Sequence, residues 1–203
     1  MVIEASPRRR AIESVASTLF RQRGYTATSV RDIARALDIQ GASLYAHVTS
    51  KEDVLWAIVD RAASAFERAA ADARHAMTNS TPRERLGALV RAHVGVITDD
   101  PELASVFVHE WRHLTEPRRD SILERRDAYE ARFRDVIDEG VRTGEFEAVD
   151  ARLAATFILT ALNGIASWYR ADGRLSAADL ATEHADLATR AVAGATHPSE
   201  GSR

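Results

Sequence analysis

The chain has 203 residues, of which 45% are hydrophobic and 28% are charged, and it contains no cysteine. This length and composition are typical of one or two globular domains. The lack of cysteine excludes disulfides, iron–sulfur clusters and thiolate zinc sites, and no cofactor is predicted. Neither a secretory leader nor a run of roughly 18 apolar residues is found, so we expect a cytoplasmic protein with no membrane partner.

The formal net charge of −3 is an average over two unlike parts. Residues 1–51 carry seven arginines and one lysine against four acidic residues, a net charge of +4, whereas the remaining 152 residues carry −7. Nucleic-acid binding depends on Lys and Arg, which replace counterions along the phosphates. The charge distribution therefore predicts a basic head suited to DNA and an acidic body.

Apolar residues recur at helical spacing throughout, and no stretch shows the alternation typical of a strand. The sequence predicts an all-α fold of nine helices, three short and six longer. The first helix ends at Gly24, the second begins after Thr28 or Ser29, and the fourth begins after Ser50. The remaining helices are predicted at about 42–47, after Thr81, after Asp100, and at 118–143, 150–170 and 176–194, with a frayed tail at 196–203.

Residues 30–48 have the pattern of a helix-turn-helix: a short helix, a tight break and a second short helix with few apolar anchors. Such a pair braces its first helix on the DNA backbone and places the second in the major groove. Lys51 stands at the start of the following helix, where a phosphate is favoured. The alternative is a small helical subdomain whose basic surface is merely solvated. Small or hydrogen-bonding side chains occupy the second helix: Gln40, Ala42, Ser43, Tyr45 and Ala46.

Three segments of the head, 28–37 (TSVRDIARAL), 43–47 (SLYAH) and 50–55 (SKEDVL), resemble the amino-terminal domain of TetR-family transcriptional regulators. The resemblance implies a nine-helix architecture and a homodimer that places two heads in successive major grooves of double-stranded operator DNA. It also implies a carboxy-terminal domain that binds a small effector and thereby changes the spacing of the heads. The same resemblance places the DNA-binding domain at residues 1–50 and the effector-binding and dimerisation domain at residues 51–203.

Site residues follow from the same resemblance. The backbone of the DNA would be held by Thr28, Ser29, Tyr45, His47 and Lys51. The residues nearest the bases would be Gln40, Ala42 and Ser43, and Gly41 belongs to the same predicted DNA-binding surface. The protein would be a ligand-responsive regulator, a repressor and not an enzyme.

The helix at 150–170 is apolar nearly all round, so it must be covered on both sides. Pairing with the last helix across a two-fold axis would give a four-helix interface. We therefore predict a homodimer through the last two helices, with His184 packed in the interface; the alternative is a core helix of a monomer. The stripe expected on the last helix is Leu180, Leu187, Ala191 and Val192.

Arg126 is an anomaly, because it falls on the apolar stripe of the helix at 118–143. Buried charges require partners. One hypothesis pairs Arg126 with Glu110, which falls on the stripe of the preceding helix. The other places Arg126 in an effector cavity, opposite an anionic group of the ligand.

A second resemblance concerns the body. Its features are residues 110–111, 126–130, 140–144 and 168–176, together with Asn163. They resemble the branch of the family that senses acyl-coenzyme A thioesters. In that case aromatic side chains would line an acyl tunnel, and arginines between 118 and 132 would meet phosphates; singly, each of those arginines could instead be solvated and balanced by nearby acids. The predicted effector-binding residues are Phe107, Trp111, Arg126, Tyr129, Phe133 and Asn163.

Residues 109–113 read His-Glu-Trp-Arg-His, which matches the H-E-x-x-H signature of zinc proteases. In that signature two histidines one helical turn apart hold zinc, and the glutamate acts as the base. No third ligand with recognisable spacing follows. The alternative function is therefore a metal-dependent helical enzyme, or a metal-sensing regulator that uses His109 and His113.

Overall fold

A computed structural model describes residues 6–77 and 79–193, and within those ranges the chain contains nine α-helices and no strand. The predicted all-α, nine-helix fold is confirmed. The tail predicted at 196–203 lies outside the described residues. The helices are α1 (Pro7–Arg23), α2 (Val30–Ala36), α3 (Gly41–Tyr45), α4 (Lys51–Ala76), α5 (Pro82–Asp99), α6 (Pro101–His109), α7 (Arg118–Thr143), α8 (Ala151–Trp168) and α9 (Ala177–Ala193).

Helix starts coincide with side chains that can accept a hydrogen bond from an unpaired amide of the first turn. Ser29 and Thr81 each form a complete capping box, with Asp32 and Glu84 respectively. Ser50, by contrast, accepts from the amide of Asp53 without the reciprocal bond, because the Asp53 carboxylate accepts from the amide of Thr49 instead. These local signals explain why most boundaries could be predicted to within two residues.

One predicted element is wrong. Glu110 was expected to lie on the apolar stripe of the helix that begins after Asp100, but α6 ends at His109 and Trp111–His113 forms a single 3₁₀ turn. The amide of His113 donates to the carbonyl of Glu110, and Leu114 then has extended backbone. Pro117 follows, and a proline restricts the residue before it and cannot continue a helix. Residues 110–115 therefore form a connecting segment between α6 and α7.

The packing places the three-helix head, α1 to α3, against α4 and α6 of the body. Within the body, α9 lies along α5, while α7 packs against α4, α5 and α8. One continuous apolar core runs from Ile12 in α1 to Val192 in α9. None of the helices in the described ranges combines the length and apolar character that a membrane span requires.

Candidate DNA-binding head and effector cavity

The α2–α3 pair presents one open face. Asp38, in the turn between the two helices, has a φ of 53°, and such a left-handed residue turns the chain sharply. Leu44 and Val48 are buried and fix α3 to the head. The exposed residues on this face are Gln40, Ala42, Ser43, Tyr45, Ala46 and His47, so α3 offers short side chains and one large aromatic, Tyr45, which is 58% exposed.

Ser29 and Thr28 occupy different environments at the start of α2. Ser29 is exposed and its hydroxyl belongs to the capping box with Asp32, whose pKa is lowered chiefly by the hydrogen bonds from Ser29. Thr28 is buried, and its hydroxyl donates to the carbonyl of Gly24 at 2.9 Å. A phosphate contact through the Thr28 hydroxyl is therefore not available in this conformation.

Lys51 is also engaged inside the protein. Its ammonium nitrogen donates to the carbonyls of Tyr25 and Thr28, each at 2.8 Å, and lies 4.1 Å from the centroid of the Tyr25 ring. An ammonium group has three donors, so one remains for a phosphate. Lys51 thus ties the turn between α1 and α2 to the start of α4.

A cavity of about 220 Å³ lies in the body between α4, α5, α6, α7 and α8. Its inner wall is apolar and includes Phe66, Phe107 and Leu159. Its mouth lies between α7 and α8, where Leu123, Thr156 and Thr160 are exposed. Four of the six predicted effector-binding residues line this cavity: Phe107, Arg126, Tyr129 and Asn163.

The other two, Trp111 and Phe133, lie behind the wall rather than on it. Phe133 is fully buried against the rings of His93 and Tyr129. Trp111 is 7% exposed, and its indole nitrogen is buried with no hydrogen-bond partner among the described residues. Both residues support cavity side chains from outside.

Arg125 and Arg126 both line this cavity, and Arg126 is the one without a carboxylate partner among the described residues. Its guanidinium carbon lies 5.2 Å from the ring centroids of both Phe107 and Trp111. Burial lowers the pKa of Arg126, and the nearby charge of Arg112 lowers it further, while Asp127 opposes this. The predicted pair with Glu110 is not formed, because Glu110 is bonded to the head, and no carboxylate of the described residues forms an ion pair with Arg126.

The neighbouring arginine has the opposite environment. Arg125 donates to both carboxylate oxygens of Glu67, at 2.7 and 2.8 Å, to Asp60 at 2.7 Å and to Ser64 at 2.9 Å. Arg118 pairs with Asp53, Arg119 with Glu116, and Arg132 donates to the carbonyl of Glu67. Among the α7 arginines considered for phosphate contact, Arg126 thus differs in lacking a polar partner in the described structure.

His93, on α5, is a cavity residue that sequence reasoning missed. It is 3% exposed, and its Nδ1 lies 3.1 Å from the hydroxyl of Tyr129. Burial lowers the pKa of His93 to about 3, with a further contribution from the charge of Arg126 and an opposing one from the Asn163 amide. Its Nε2 is buried without a hydrogen-bond partner of good geometry among the described residues.

The H-E-x-x-H string does not lie on one continuous helix, as the zinc-protease signature requires. His109 ends α6 and its Nδ1 bonds to the carbonyl of Ser105, whereas His113 ends the 3₁₀ turn and stacks on Tyr25. The two histidines therefore do not share a helical face, because the helix ends between them. No group of three His, Asp or Glu side chains arranged for a metal is found in the described part of the chain.

Segment 110–115 joins the cavity to the head. The carboxylate of Glu110 accepts from the backbone amide of Tyr25 at 3.3 Å, and the ring of His113 stacks on that of Tyr25 at 5.2 Å. Farther along, Thr115 donates through its amide and its hydroxyl to Glu52 at the start of α4. Trp111 of the same segment touches Arg126, so one short stretch contacts both regions.

Helix α8 buries one face and exposes the other. Leu153, Phe157 and Trp168 are 69%, 63% and 55% exposed, and Leu187 of α9 is 57% exposed. His184 stacks beside Trp168 at 6.4 Å. The stripe predicted on α9 is divided, because Leu180 and Val192 are buried within the chain while Leu187 and Ala191 face outward. Exposed large apolar residues so concentrated are typical of an interaction surface.

Known proteins share both the sequence pattern and the fold. The chain is 29% identical over 188 residues to the HTH-type transcriptional repressor KstR2 of Rhodococcus jostii (strain RHA1), covering 90% of this chain and 89% of the relative. The ketosteroid transcriptional regulator KstR2 of Mycobacterium tuberculosis superposes with a TM-score of 0.86 at 26% identity, over 95% of this chain and 98% of the other. The structure of AibR in complex with isovaleryl coenzyme A and operator DNA gives a TM-score of 0.77 at 28% identity, over 89% and 97%.

Family models match both parts of the chain. The model described as "Bacterial regulatory proteins, tetR family" matches residues 12–58, which include α2 and α3. The model described as "Tetracyclin repressor-like, C-terminal domain" matches residues 79–192, which is more than half of the chain. The protein therefore belongs to the TetR family of DNA-binding transcriptional regulators.

Proposed function

We propose that this protein is a ligand-responsive repressor that binds a palindromic operator as a homodimer and is released by a small anionic effector, an acyl-coenzyme A thioester. The observation that carries the proposal is Arg126, a half-buried cation without an acidic partner on the wall of an apolar cavity. A buried charge is costly unless it is paired. An anionic group of a ligand would supply the missing partner.

The proposed DNA contacts lie on the open face of the head. Gln40, Ala42 and Ser43, with Gly41 between them, are assigned to the base edges, where an amide reads a base bidentately and a methyl group can meet thymine. Ser29, Tyr45 and His47 are exposed beside them and are assigned to phosphates, and Lys51 would use its remaining donor. The side chain of Thr28 is assigned a structural role, because its hydroxyl donates to the carbonyl of Gly24 within the head.

The proposed dimer forms through α8 and α9. A two-fold pair of these helices would cover the exposed side chains of Leu153, Phe157, Trp168 and Leu187. Residues 1–50 would then form the DNA-binding domain and residues 51–203 the effector-binding and dimerisation domain. The +4 charge of residues 1–51 favours binding to phosphates, and the −7 body keeps the remainder of the protein away from them.

Acyl-coenzyme A is proposed for two reasons. The cavity has an apolar inner wall, and its lining also includes Arg125 and the carboxylates of Glu67, Asp127 and Glu130. Because Arg126 lacks a carboxylate partner among the described residues, this cation suits an acyl chain attached to an anionic carrier. AibR, which shares the fold, has been solved in complex with isovaleryl coenzyme A. In this chain Arg126 is the residue assigned to the anionic part of the ligand.

Release from DNA would proceed through segment 110–115. An anion at Arg126 would compete with its contacts to Phe107 and Trp111. A displacement of Trp111 would shift its neighbours Glu110 and His113, which contact Tyr25 of the head. Effector binding then favours a spacing of the heads that no longer fits adjacent grooves, by differential affinity for the two states.

The function is tested with DNA from upstream of the protein's own gene and a panel of short, branched and cyclic acyl-coenzyme A thioesters. We expect sequence-specific mobility shifts that one class of thioester reverses, together with a rise in Tm of the free protein. If the protein binds all DNA sequences equally, the proposed specific operator is excluded. If no thioester of the panel changes the Tm or releases the protein from DNA, the acyl-coenzyme A class is excluded.

The dimer is tested separately by Phe157→Glu, which places a charge in the centre of the proposed interface. Size-exclusion chromatography with light scattering should then give a monomer of 22.3 kDa. Ala128→Glu, on the exposed side of α7, is the matched control and should leave the dimer intact. A monomeric wild-type protein would contradict the proposal.

A further inference from the structure

Two arginines, Arg112 and Arg126, lie against the same aromatic ring, that of Trp111. The guanidinium carbon of Arg112 lies 4.7 Å from the centroid of this ring, and that of Arg126 lies 5.2 Å from it, so the two cations are at most about 10 Å apart. Burial lowers the pKa of Arg126, and the charge of Arg112 lowers it further, with a stronger effect than the opposing one of Asp127. The two like charges therefore repel each other.

Neither of these arginines forms an ion pair in the parts of the chain that the structure describes. Glu110, which precedes the Trp111–Arg112 pair in sequence, is bonded to the head. Of the carboxylates that line the cavity, Glu67 is paired with Arg125, and Asp127 and Glu130 form no ion pair with either arginine of the pair. Like charges that lie close together are unfavourable unless an opposite charge compensates them. The missing counter-charge would be supplied by an external anion.

The arginine pair extends from the cavity to the protein surface. Arg126 lines the cavity, whereas Arg112 is exposed on segment 110–115. A guanidinium carries five N–H donors and no acceptor, and within residues 6–77 and 79–193 neither side chain donates a hydrogen bond. Solvent and a ligand can reach the donors of Arg112, so an anion bound there does not have to fit inside a cavity of about 220 Å³.

We propose that Arg112 and Arg126 together bind one oxyanion of the effector, a carboxylate or a phosphate, at the outer end of the cavity. This inference rests on the proposed function and extends it by a second binding residue, Arg112. Planar guanidiniums bind oxyanions bidentately, and two of them can share one such group. Because Glu110 and His113 of the same segment contact Tyr25, an anion at Arg112 binds to the segment that joins the cavity to the head.

Calorimetric Kd values test the role of Arg112. Isovaleryl coenzyme A and isovalerate are titrated into the wild type, Arg112→Met and Arg112→Lys. R112M should bind at least one of them about fivefold more weakly or worse, as expected for the loss of a partly exposed charge-assisted hydrogen bond, and R112K should recover part of the affinity. Arg74→Met is the matched control, because Arg74 is also exposed and forms no ion pair in the described structure, but does not line the cavity.

A double-mutant cycle tests whether the two arginines hold the same group. If one oxyanion contacts both, R112M should weaken binding by a smaller factor in the Arg126→Met background than in the wild type. Equal factors in the two backgrounds would mean that the arginines act independently, which would overturn the shared site. Circular dichroism verifies that the variants are folded, and R112K keeps the test valid if R112M is not.

The source of the oxyanion is found by varying the ligand. The isovaleryl thioester of N-acetylcysteamine has the same acyl group as isovaleryl coenzyme A but no phosphate. If R112M weakens isovaleryl coenzyme A and leaves this short thioester unchanged, the oxyanion is a phosphate of the carrier. If R112M weakens isovalerate instead, the oxyanion is the carboxylate of the free acid. A decrease of the same factor for the uncharged thioester would show that Arg112 does not act on an anion, and would overturn the proposal.

The remaining outcomes separate this site from the proposed function. If the acyl ligands bind the wild type and bind R126M more weakly, but R112M behaves as R74M does, the acyl effector stands and the two-arginine site is overturned. If no acyl ligand binds the wild type, the acyl effector is excluded and sodium pyrophosphate tests the site itself, against sodium chloride of equal ionic strength. A larger rise in Tm for the wild type and R74M than for R112M and R126M would support the anion site without an acyl ligand. An equal response of all four proteins would overturn it.

Discussion

His113 of the body stacks on Tyr25 of the head, with ring centroids 5.2 Å apart and ring planes 23° from parallel. The backbone of the same tyrosine is held twice more, since its amide donates to Glu110 at 3.3 Å and its carbonyl accepts from Lys51 at 2.8 Å. Glu110 and His113 flank Trp111, which touches Arg126 of the cavity. Tyr25 is therefore a head residue in direct contact with the segment that borders the cavity.

We predict that His113→Ala and Glu110→Gln weaken the coupling between effector and operator. Each removes a contact that ties segment 110–115 to the head, while neither residue lines the cavity. The factor by which a saturating effector raises the Kd for DNA should fall by about fivefold or more, within the usual range of coupling free energies of 1–3 kcal/mol. The Kd of the effector for free protein should change much less.

The control for this coupling is His109→Ala, because His109 is exposed, bonds only within α6 and does not touch the head in the described structure. Fluorescence anisotropy with labelled operator, with and without the effector, measures all three variants. Unchanged coupling in both H113A and E110Q would show that the signal reaches the head by another route.

Arg125 and Arg126 are adjacent in sequence but have opposite roles in stability. Removing Arg125 as Arg125→Met leaves Asp60 and Glu67 without their cation, so the free energy of unfolding should fall by about 1–3 kcal/mol. Arg126→Met removes a partly desolvated charge that has no acidic partner, so stability should be unchanged or rise by up to about 1 kcal/mol.

Urea denaturation of the two methionine variants, together with effector titration, tests this contrast. R126M should bind the anionic effector at least tenfold more weakly, as expected for a lost charge-assisted hydrogen bond. A strong loss of stability in R126M would mean that Arg126 holds the fold together and is not reserved for a ligand.

Most of the fold could be predicted because its signals are local. Ser29, Thr81 and Asp100 each mark a helix start by the chemistry of a cap, and Gly144 ends α7 in the left-handed conformation with a φ of 76°. The exposed recognition helix could be predicted too, since few apolar anchors in a short helix leave its other side chains free. Such features depend on residues within one turn of each other.

The cavity could be predicted only in part, because it depends on where helices end and how they meet. If α6 continued as a helix past His109, Glu110 would lie opposite Arg126. The 3₁₀ turn instead directs Glu110 toward Tyr25. His93 was missed since a single histidine among apolar residues of a helix reads as a core residue. The only local signal was its position on the buried stripe of α5, and its meaning depends on Tyr129, which is 36 residues away.

Gly140 provides a test of packing that is independent of function. A Cβ at this position of α7 would clash with the ring of Phe146, which is itself 4% exposed. Gly140→Ala should therefore lower the free energy of unfolding by about 1–3 kcal/mol through overpacking. Gly95→Ala, within α5, meets nothing within 4 Å and should instead raise stability by about 0.5–1 kcal/mol. Thermal denaturation of both variants measures these changes in stability. Equal changes in G140A and G95A would contradict the close approach of Phe146 to α7.

Buried, neutral His93 should also make stability depend on pH. Its pKa is about 3 in the folded protein and 6.5 when solvated, so between these values the unfolded chain binds a proton that the folded protein does not. Stability therefore falls as pH falls through this window, and a single group with these values loses about 2 kcal/mol between pH 7 and pH 5.

His93→Gln removes the titrating group, so the difference in unfolding free energy between H93Q and the wild type should shift by that amount in favour of H93Q on going from pH 7 to pH 5. Urea denaturation at the two pH values measures it, and carboxylates cancel because both proteins contain the same ones. A difference that is independent of pH would mean that His93 takes up a proton in the folded protein as readily as in the unfolded chain.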